Sequence, residues 1–345
     1  MATGRGNVTL SNDLPMVRVA APWMSDCARP EAGAPALPRV PRLEWLLARA
    51  RRVEARSQAW REWLLEGSGL GAGACDRFPA GPCVHREWAS GAPAGTWACA
   101  APVHLLTGID HLQLAGPVPI PLQPDESAAL LASINAHLAG TGFELLDVPG
   151  RGWLCRCPPG LDCVAVEPVD VIGRNLRDWL PSGSDAVRVR ALVNEVQMLL
   201  HEHPVNLRRS AGRAPTVNSV WVWGFGTAAE AGQGAPGPML SDDDWLSGLW
   251  RLNGGTVGSH AELAEVLRGR PAVVRIALAP TSTAGAAVSR LEAAEHAVFA
   301  PLQAAVRAGR VGRIAILGGQ SVFEVTAAAR FRFWRVPRPV GEVLA

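Results

Sequence analysis

An α/β fold is what the sequence predicts: a buried mixed or parallel sheet with flanking helices, behind a mixed α+β N-terminal part. Three observations carry this. Val217 to Trp223 is a nearly continuous apolar run rich in β-branched and aromatic residues, the pattern of a strand buried on both faces. Ala272 to Ala279 and Arg313 to Leu317 read as two further strands joined by a helical stretch, Ala286 to Ala308, and a helix between buried strands predicts a right-handed parallel crossover. The chain also has the material for a core, with 345 residues, 48% apolar and 19% charged, which excludes disorder of the whole.

Residues 1–39 are rich in Pro, Ala and Gly without a sustained period and predict a poorly ordered lead-in. Over residues 40–66, Leu43, Leu46, Leu47, Ala50, Val53, Trp60 and Leu64 recur at helical spacing with arginines between them. That predicts one amphipathic helix whose outer face is solvated, since Glu44, Glu54, Glu62 and Glu66 dilute its positive charge. Residues 67–102, dominated by Gly, Ala, Pro and Cys, read as a long connection. Residues 103–180 form a small α+β unit: a strand with a turn over His104 to Leu114, a helix over Asp125 to Gly140, and a hairpin of Phe143 to Val148 with Trp153 to Cys157 about Pro149-Gly150.

Residues 181–340 read as an α/β unit. Its first helix, Val187 to His203, places Leu192, Val193, Val196, Leu199 and Leu200 on one side and ends where Pro204 disfavours helical backbone at His203. Ser241 and Asp244, three apart before Trp245, Leu246 and Leu249, make a capping-box-like helix start, and carboxylates in the Asp242 to Asp244 run suit a helix N-terminus. Ala329 to Arg335 alternates as an edge strand that Pro337 and Pro339 terminate.

Composition narrows the chemistry. The chain has no Lys, so its side-chain cations other than His are arginines, which excludes Schiff bases and a P-loop lysine. Tyr is absent and Trp abundant, which excludes phenol acid/base chemistry and leaves large apolar anchoring to Trp. A formal charge of +2 gives no uniform basic footprint, so no nucleic-acid partner is expected and any anion site is local. No leader pattern or membrane-length apolar run is present, and seven Cys at irregular spacing fit a reducing compartment. A cytoplasmic protein without a membrane span is expected.

Polar and apolar demands collide between Asn194 and Gly226. Asn194, Gln197, Met198 and His201 share one helical face, so a polar stripe runs into the helix terminus, and Asn206, Arg208 and Arg209 follow at once. Asn218 interrupts a run that should be buried, and an unsatisfied amide there costs roughly 1–3 kcal/mol. It must bond either the turn at His203 to Asn206 or a bound ligand. Gly224 and Gly226 permit close backbone approach just beyond the strand, where open α/β sheets collect ligands.

This segment resembles the RpfE-type bacterial regulatory protein family, whose members are phosphoglycerate-mutase-like. The likeness rests on Asn194 to Met198, His203 to Asn206, Arg209, Gly212, Asn218 to Trp223, Gly224 and Gly226, with support from Pro102 to Leu105, Asp110 to Leu112, Asn135, Trp153, Gly173-Arg174, Leu180-Pro181 and Phe333 to Arg335. The His-Pro-Val-Asn stretch is also similar to a segment of archaeal-type cofactor-independent phosphoglycerate mutases, relatives of alkaline phosphatases that use two metal ions and a Ser or Thr nucleophile. The resemblance implies a partial alkaline-phosphatase-like fold and an acidic-metabolite site at His203, Asn206, Arg208, Arg209, Arg213, Asn218, Gly224 and Gly226. A two-metal phosphotransferase needs several Asp and His ligands. The only late candidates are His260, His296 and the Asp242 to Asp244 run, so the recognition segment is expected without the phosphotransfer machinery.

Other constellations have plain structural readings beside the chemical ones. Cys155, Cys157 and Cys163, with Cys83, His85 and Cys99, offer soft-metal ligands or small buried hydrophobes. His201 and His203, two apart, do not converge on a helix, and His104, Asp110 and His111 offer acid/base groups or structural hydrogen bonds. Gly224-x-Gly226 lacks the third dinucleotide glycine, because position 229 is Ala. Trp221 and Trp223 share a strand face, as core or as a stacking platform.

Three functions remain. The leading one is a mutase relative without phosphotransfer that binds a small phosphorylated or carboxylated metabolite, in regulation. The second is a phosphoglycerate mutase or phosphatase whose divalent-metal ligands are not recognised. The third is a protein-interaction module in which the motif only fixes a corner; it predicts that Asn206 and Asn218 bond main chain alone and that no cavity opens beside Arg209.

Overall fold

The computed structural model describes residues 14–24, 37–55, 59–70, 73–89, 93–108, 112–228, 237–281 and 284–344. Its strands, in chain order, are β1 (Met16–Ala20), β2 (Arg51–Glu54), β3 (Thr96–Thr107), β4 (Leu112–Ala115), β5 (Glu144–Val148), β6 (Gly152–Cys157), β7 (Ser219–Thr227), β8 (Met239–Ser241), β9 (Val257–Gly258), β10 (Val273–Ala277), β11 (Arg313–Gly318) and β12 (Ser321–Thr326). They form a seven-stranded sheet in the order β2-β12-β11-β1-β10-β8-β9 and a five-stranded sheet built on β3. The predicted mixed α/β architecture is what the structure has.

The parallel crossover is present with a strand the sequence reading left out. β10 and β11 both pair in parallel with β1, which lies between them in register Met16 with Val273 and Arg313. Met16–Ala20 falls inside the expected lead-in, so that expectation is corrected; the parts of the lead-in at 1–13 and 25–36 lie outside the described residues. Five residues are too few to show a period, and only burial between two partners makes them a strand. Val17 and Val19 point into the core under the Pro41–Arg49 helix and the helices between Ala284 and Arg307. On the other face, the register partners Arg18 and Arg275 donate to the carbonyls of Trp63, Leu64 and Glu66. Burial, then the neighbouring Arg18 charge, brings the Arg275 pKa down to about 10.

The single helix expected over 40–66 is instead a helix (Pro41–Arg49), strand β2 and a second helix (Trp60–Leu65). Pairing of Arg51–Glu54 with β12 overrides a helical period that the arginines did not oppose. The expected connection over 67–102 contains the Ala80–Trp88 helix and the first strand residues of β3. The predicted hairpin forms as β5 and β6, and the helix over 125–140 forms at Pro124–His137. Ala329 to Arg335 is not an edge strand: the sheet's edges are β2 and β9, β12 lies between β11 and β2, and Ala327–Phe331 is a turn of 3-10 helix.

The boundary at residue 181 also moves. The Ala186–His201 helix, the motif and β7 belong with β3 to β6, while residues after 237 join β1 and β2. β7 pairs antiparallel with β3, so the apolar run is buried on both faces without being part of a parallel sheet: Val220 and Val222 enter one core and Trp221 another. The Ala80–Trp88 and Asp244–Leu252 helices lie between the two sheets. They touch backbone to backbone, because a Cβ on Gly248 would overlap the Cys83 carbonyl. Among the described residues no helix is long and apolar enough to cross a membrane.

Candidate functional site

Pro204 ends the first helix as expected, and it also starts another one, Pro204–Ala211, which the sequence reading missed. Proline is disfavoured inside a helix but suits its first position. His203 becomes the N-cap: its Nδ1 accepts from the Val205 N–H at 3.2 Å. That bond places the ring proton on Nε2, 3.0 Å from Ser133 Oγ. The imidazole therefore donates to Ser133 and is not a base for it. Burial, then the Arg208 charge, lowers the His203 pKa.

The motif amides close on main chain. Asn206 Nδ2 donates to the Leu200 carbonyl at 2.8 Å and the Val217 carbonyl at 2.6 Å, and its Oδ1 accepts from Val217 N at 2.9 Å. Asn218 exchanges two hydrogen bonds with the Leu105 backbone, at 2.7 and 2.8 Å. Arg209 donates to the carbonyls of Pro215 and Pro121 and pairs with Glu126 at 2.6 Å. Gly224, at φ +67°, packs against Ala80, where a Cβ would overlap, and a Cβ on Gly226 would overlap Pro79; Gly224 also lines a hollow of about 420 Å³ with Arg61, Glu167, Asp170 and Trp223. Arg208 and Arg213 are exposed. The expected convergence of these groups on a hollow is thus not what the geometry provides; His203, Asn206, Arg209 and Asn218 tie a helix-turn-strand corner to β3 and to the Pro124–His137 helix.

Polar groups that do face a hollow sit at the carboxyl ends of β8 and β10. A cleft of about 420 Å³ opens there toward the five-stranded unit, with Arg61, Glu167, Asp242, Asp243, Thr281 and Arg290 on its walls. Arg61 reaches from the Trp60–Leu65 helix to Asp243 at 2.7 Å and to Glu167 at 2.6 Å, spanning both sheets' units. Its guanidinium also lies 5.0 Å from the Trp60 ring and 5.4 Å from the Trp245 ring. Asp243 is the N-cap of the Asp244–Leu252 helix through Leu246 N at 2.8 Å, a role the sequence reading gave to Ser241. Asp242 pairs with Arg290 and accepts from Ala279 N at 2.7 Å. Burial raises the carboxyl pKa of Asp244 and of Asp170. Trp223 and Cys99 complete the inner wall. Burial raises the Cys99 thiol pKa well above the ordinary range. A larger groove of about 960 Å³ lies over the ends of β1 and β11, where Arg52 bonds Ser321; it gathers fewer charged groups.

Sequence reasoning weighed Asp242 to Asp244 as late metal-ligand candidates and as a helix start, and passed over Arg61, Glu167 and Arg290. The one available signal was three carboxylates directly after a strand.

The remaining constellations take structural places. Cys155 and Cys157 lie on one side of β6 with sulfurs 3.8 Å apart in the core. The Cys157 hydrogen bond and burial raise the Cys155 pKa, and burial raises Cys163 to about 11. Cys83 is buried, and His85 packs on Trp97 at 4.2 Å. His104 Nδ1 bonds the Thr216 carbonyl at 2.8 Å, while Asp110 and His111 lie outside the described residues. Trp221 donates to the Val166 carbonyl at 2.9 Å and is core. Among the described residues no group of three or more His, Cys, Asp or Glu side chains is placed to hold a metal ion.

No family model matches the chain. Over 101 residues it is 35% identical to the 2,3-bisphosphoglycerate-independent phosphoglycerate mutase of Methanothrix thermoacetophila, covering 26% of this chain and 26% of that protein. Over 143 residues it is 29% identical to the protein of that name from Methanosarcina acetivorans, covering 37% of this chain and 34% of the relative. The chain is distantly similar to these mutases. It spans between 26% and 34% of their length. A solved cofactor-independent phosphoglycerate mutase from Thermoplasma acidophilum aligns over 90% of this chain and 89% of its own, with 18% identity and a TM-score of 0.41.

Proposed function

We propose that this chain is a phosphoglycerate-mutase-like protein that binds a small phosphorylated or carboxylated metabolite without transferring phosphate, in a regulatory role of the kind the RpfE-type resemblance implies. The observation that carries the reading is the presence of Arg290 and Arg61 in one cleft at the carboxyl ends of β8 and β10, the edge at which open α/β sheets bind ligands. The cleft has the volume of a small-molecule site. Each guanidinium holds a carboxylate of the chain, and an incoming carboxylate or phosphate competes for the same planar fork. Asp242 keeps its bond to Ala279 N when Arg290 turns to a ligand. This reading gives the binding role to the cleft and not to the motif, whose Arg208 and Arg213 are exposed while Arg209 is buried on its partners.

The described carboxylates at this edge do not fit a two-metal phosphotransfer centre. Asp242 is committed to Arg290, Asp243 to Arg61 and Leu246 N, and Asp244 lies 3.5 Å from Arg151. Calorimetry with 2- and 3-phosphoglycerate tests the proposal, paired with a turnover assay on 3-phosphoglycerate with added Mn²⁺. Saturable binding that weakens at least about tenfold in Arg290→Gln, without turnover, is the expected result. Equal heats for both proteins would remove the cleft as the site, and turnover would move the reading to a mutase or phosphatase.

The interaction-module reading has one observation in its favour: the side chains of Asn206 and Asn218 bond only main chain. It predicts no metabolite heat at all.

A further inference from the structure

The segment that follows β12 carries the most exposed aromatic residues among those described. Phe331 is 61% exposed, Phe333 83%, Trp334 64% and Val336 77%. Arg330, Arg332, Arg335 and Arg338 are interleaved with them, and no Asp or Glu occurs between Val325 and Gly341. The segment is built, not trailing: Arg332 N bonds the Ala329 carbonyl at 3.1 Å and Arg335 N the Arg332 carbonyl at 3.2 Å. The Arg332 guanidinium donates to the Arg49 carbonyl at 2.9 Å, which ties the strip to the Pro41–Arg49 helix. Exposed apolar groups on an ordered turn are costly to keep in water unless something covers them.

We propose that the strip from Arg330 to Arg338 docks the protein on an anionic membrane surface. Stable attachment of a peripheral protein takes two signals, apolar insertion and attraction to acidic headgroups, and this strip supplies both. Trp and Phe suit the interfacial zone, and arginine stems lie along apolar material while their guanidinium groups stay with phosphates. A second copy of the chain is disfavoured as the occupant, because a self-complementary contact would set arginine against arginine. Single-stranded nucleic acid needs open ring faces. Here Arg330 covers Phe331 at 4.7 Å and Val336-Pro337 has no aromatic face for a base, whereas an acyl boundary accepts both. β12 runs antiparallel to β11, so the strip leaves the sheet at the amino ends of the parallel strands, opposite the Arg61 cleft. Docking therefore leaves the cleft open, and the proposal stands apart from the metabolite reading.

The test is co-sedimentation of the full chain with phosphatidylcholine vesicles, with and without phosphatidylserine. The protein is expected to pellet with the acidic vesicles and to release as salt rises. Two variants, Phe333→Ala with Trp334→Ala and Arg335→Gln with Arg338→Gln, are each expected to bind at least about tenfold more weakly. Their circular dichroism and melting midpoints should stay at the parent values, since these side chains are exposed. Absence of binding to acidic vesicles, or equal binding by parent and variants, overturns the proposal. So does binding of a single-stranded oligonucleotide that both variants lose while vesicles are ignored, or a dimer that the Phe333/Trp334 variant dissolves.

Discussion

The corner around Asn206 and the cleft around Arg61 are both dense in polar side chains, yet their hydrogen bonds end in different places. At the corner every named bond of the Asn206 and Asn218 side chains ends on main chain, and Arg209 ends on two carbonyls and Glu126. At the cleft Asp242 and Asp243 also accept from main-chain N–H groups, but Arg61 and Arg290 bond carboxylates, and those side chains line a hollow. Polar density in a sequence therefore marks a place where hydrogen bonds must be satisfied. Whether the partner is backbone or ligand depends on what the fold brings opposite.

That contrast can be broken first at the corner. Asn206→Leu removes the partners of Leu200 O, Val217 O and Val217 N in a buried place, and is expected to cost about 3–5 kcal/mol in urea unfolding. A loss near zero would mean the corner is not held by this amide. Arg61→Ala leaves Asp243 and Glu167 facing each other without their cation and should cost about 3 kcal/mol. Arg61→Lys should restore only part of this, because an ammonium lacks the planar fork that serves two carboxylates. Gly224→Ala combines a left-handed backbone with overlap on Ala80 and should lower stability by about 1–3 kcal/mol in thermal melts. Arg290→Gln removes a partly exposed pair and should change stability by less than about 1 kcal/mol while weakening the metabolite heat; a large stability loss would make Arg290 a structural residue like Arg209.

The smallest expected effect is in pH. The folded-state pKa of His203 is depressed, so as pH falls below about 6.5 the unfolded chain takes up the proton first. The stability this residue contributes is complete above that pH and is lost as pH descends through the folded pKa. Urea midpoints measured from pH 7 to pH 5 should fall less in His203→Asn, which keeps an N-cap acceptor but does not titrate. Parallel midpoint curves for the two proteins would show that the ring is not the group responsible.

Much of the fold was legible because local signals and tertiary packing agreed. The β5–β6 hairpin, the helices after Gln123 and Asp185, and strands β10 and β11 all follow from period, turn residues and proline placement. Elements were missed where a distant partner overrode the local pattern. β1 is stabilised by Val273 to Ala277 and Arg313 to Leu317, and β2 by β12. The candidate site was hardest to see, because Arg61, Glu167 and Arg290 are scattered along the chain outside any motif, and Asp243 stands in a run that also reads as a helix start.

By itself the sequence determined that guanidinium is the chain's permanent side-chain cation, that the core is α/β, and that Asn206 and Asn218 need partners. Local chemistry suffices for such statements, since a missing residue type and an unsatisfied amide are properties of the chain. Only the tertiary structure decided that those partners are Val217, Leu200 and Leu105, and that Arg61 and Arg290 meet in one cleft. Strand register sets which groups meet, and register is a property of pairs of segments hundreds of residues apart, as Met16 beside Val273 and Arg313 shows.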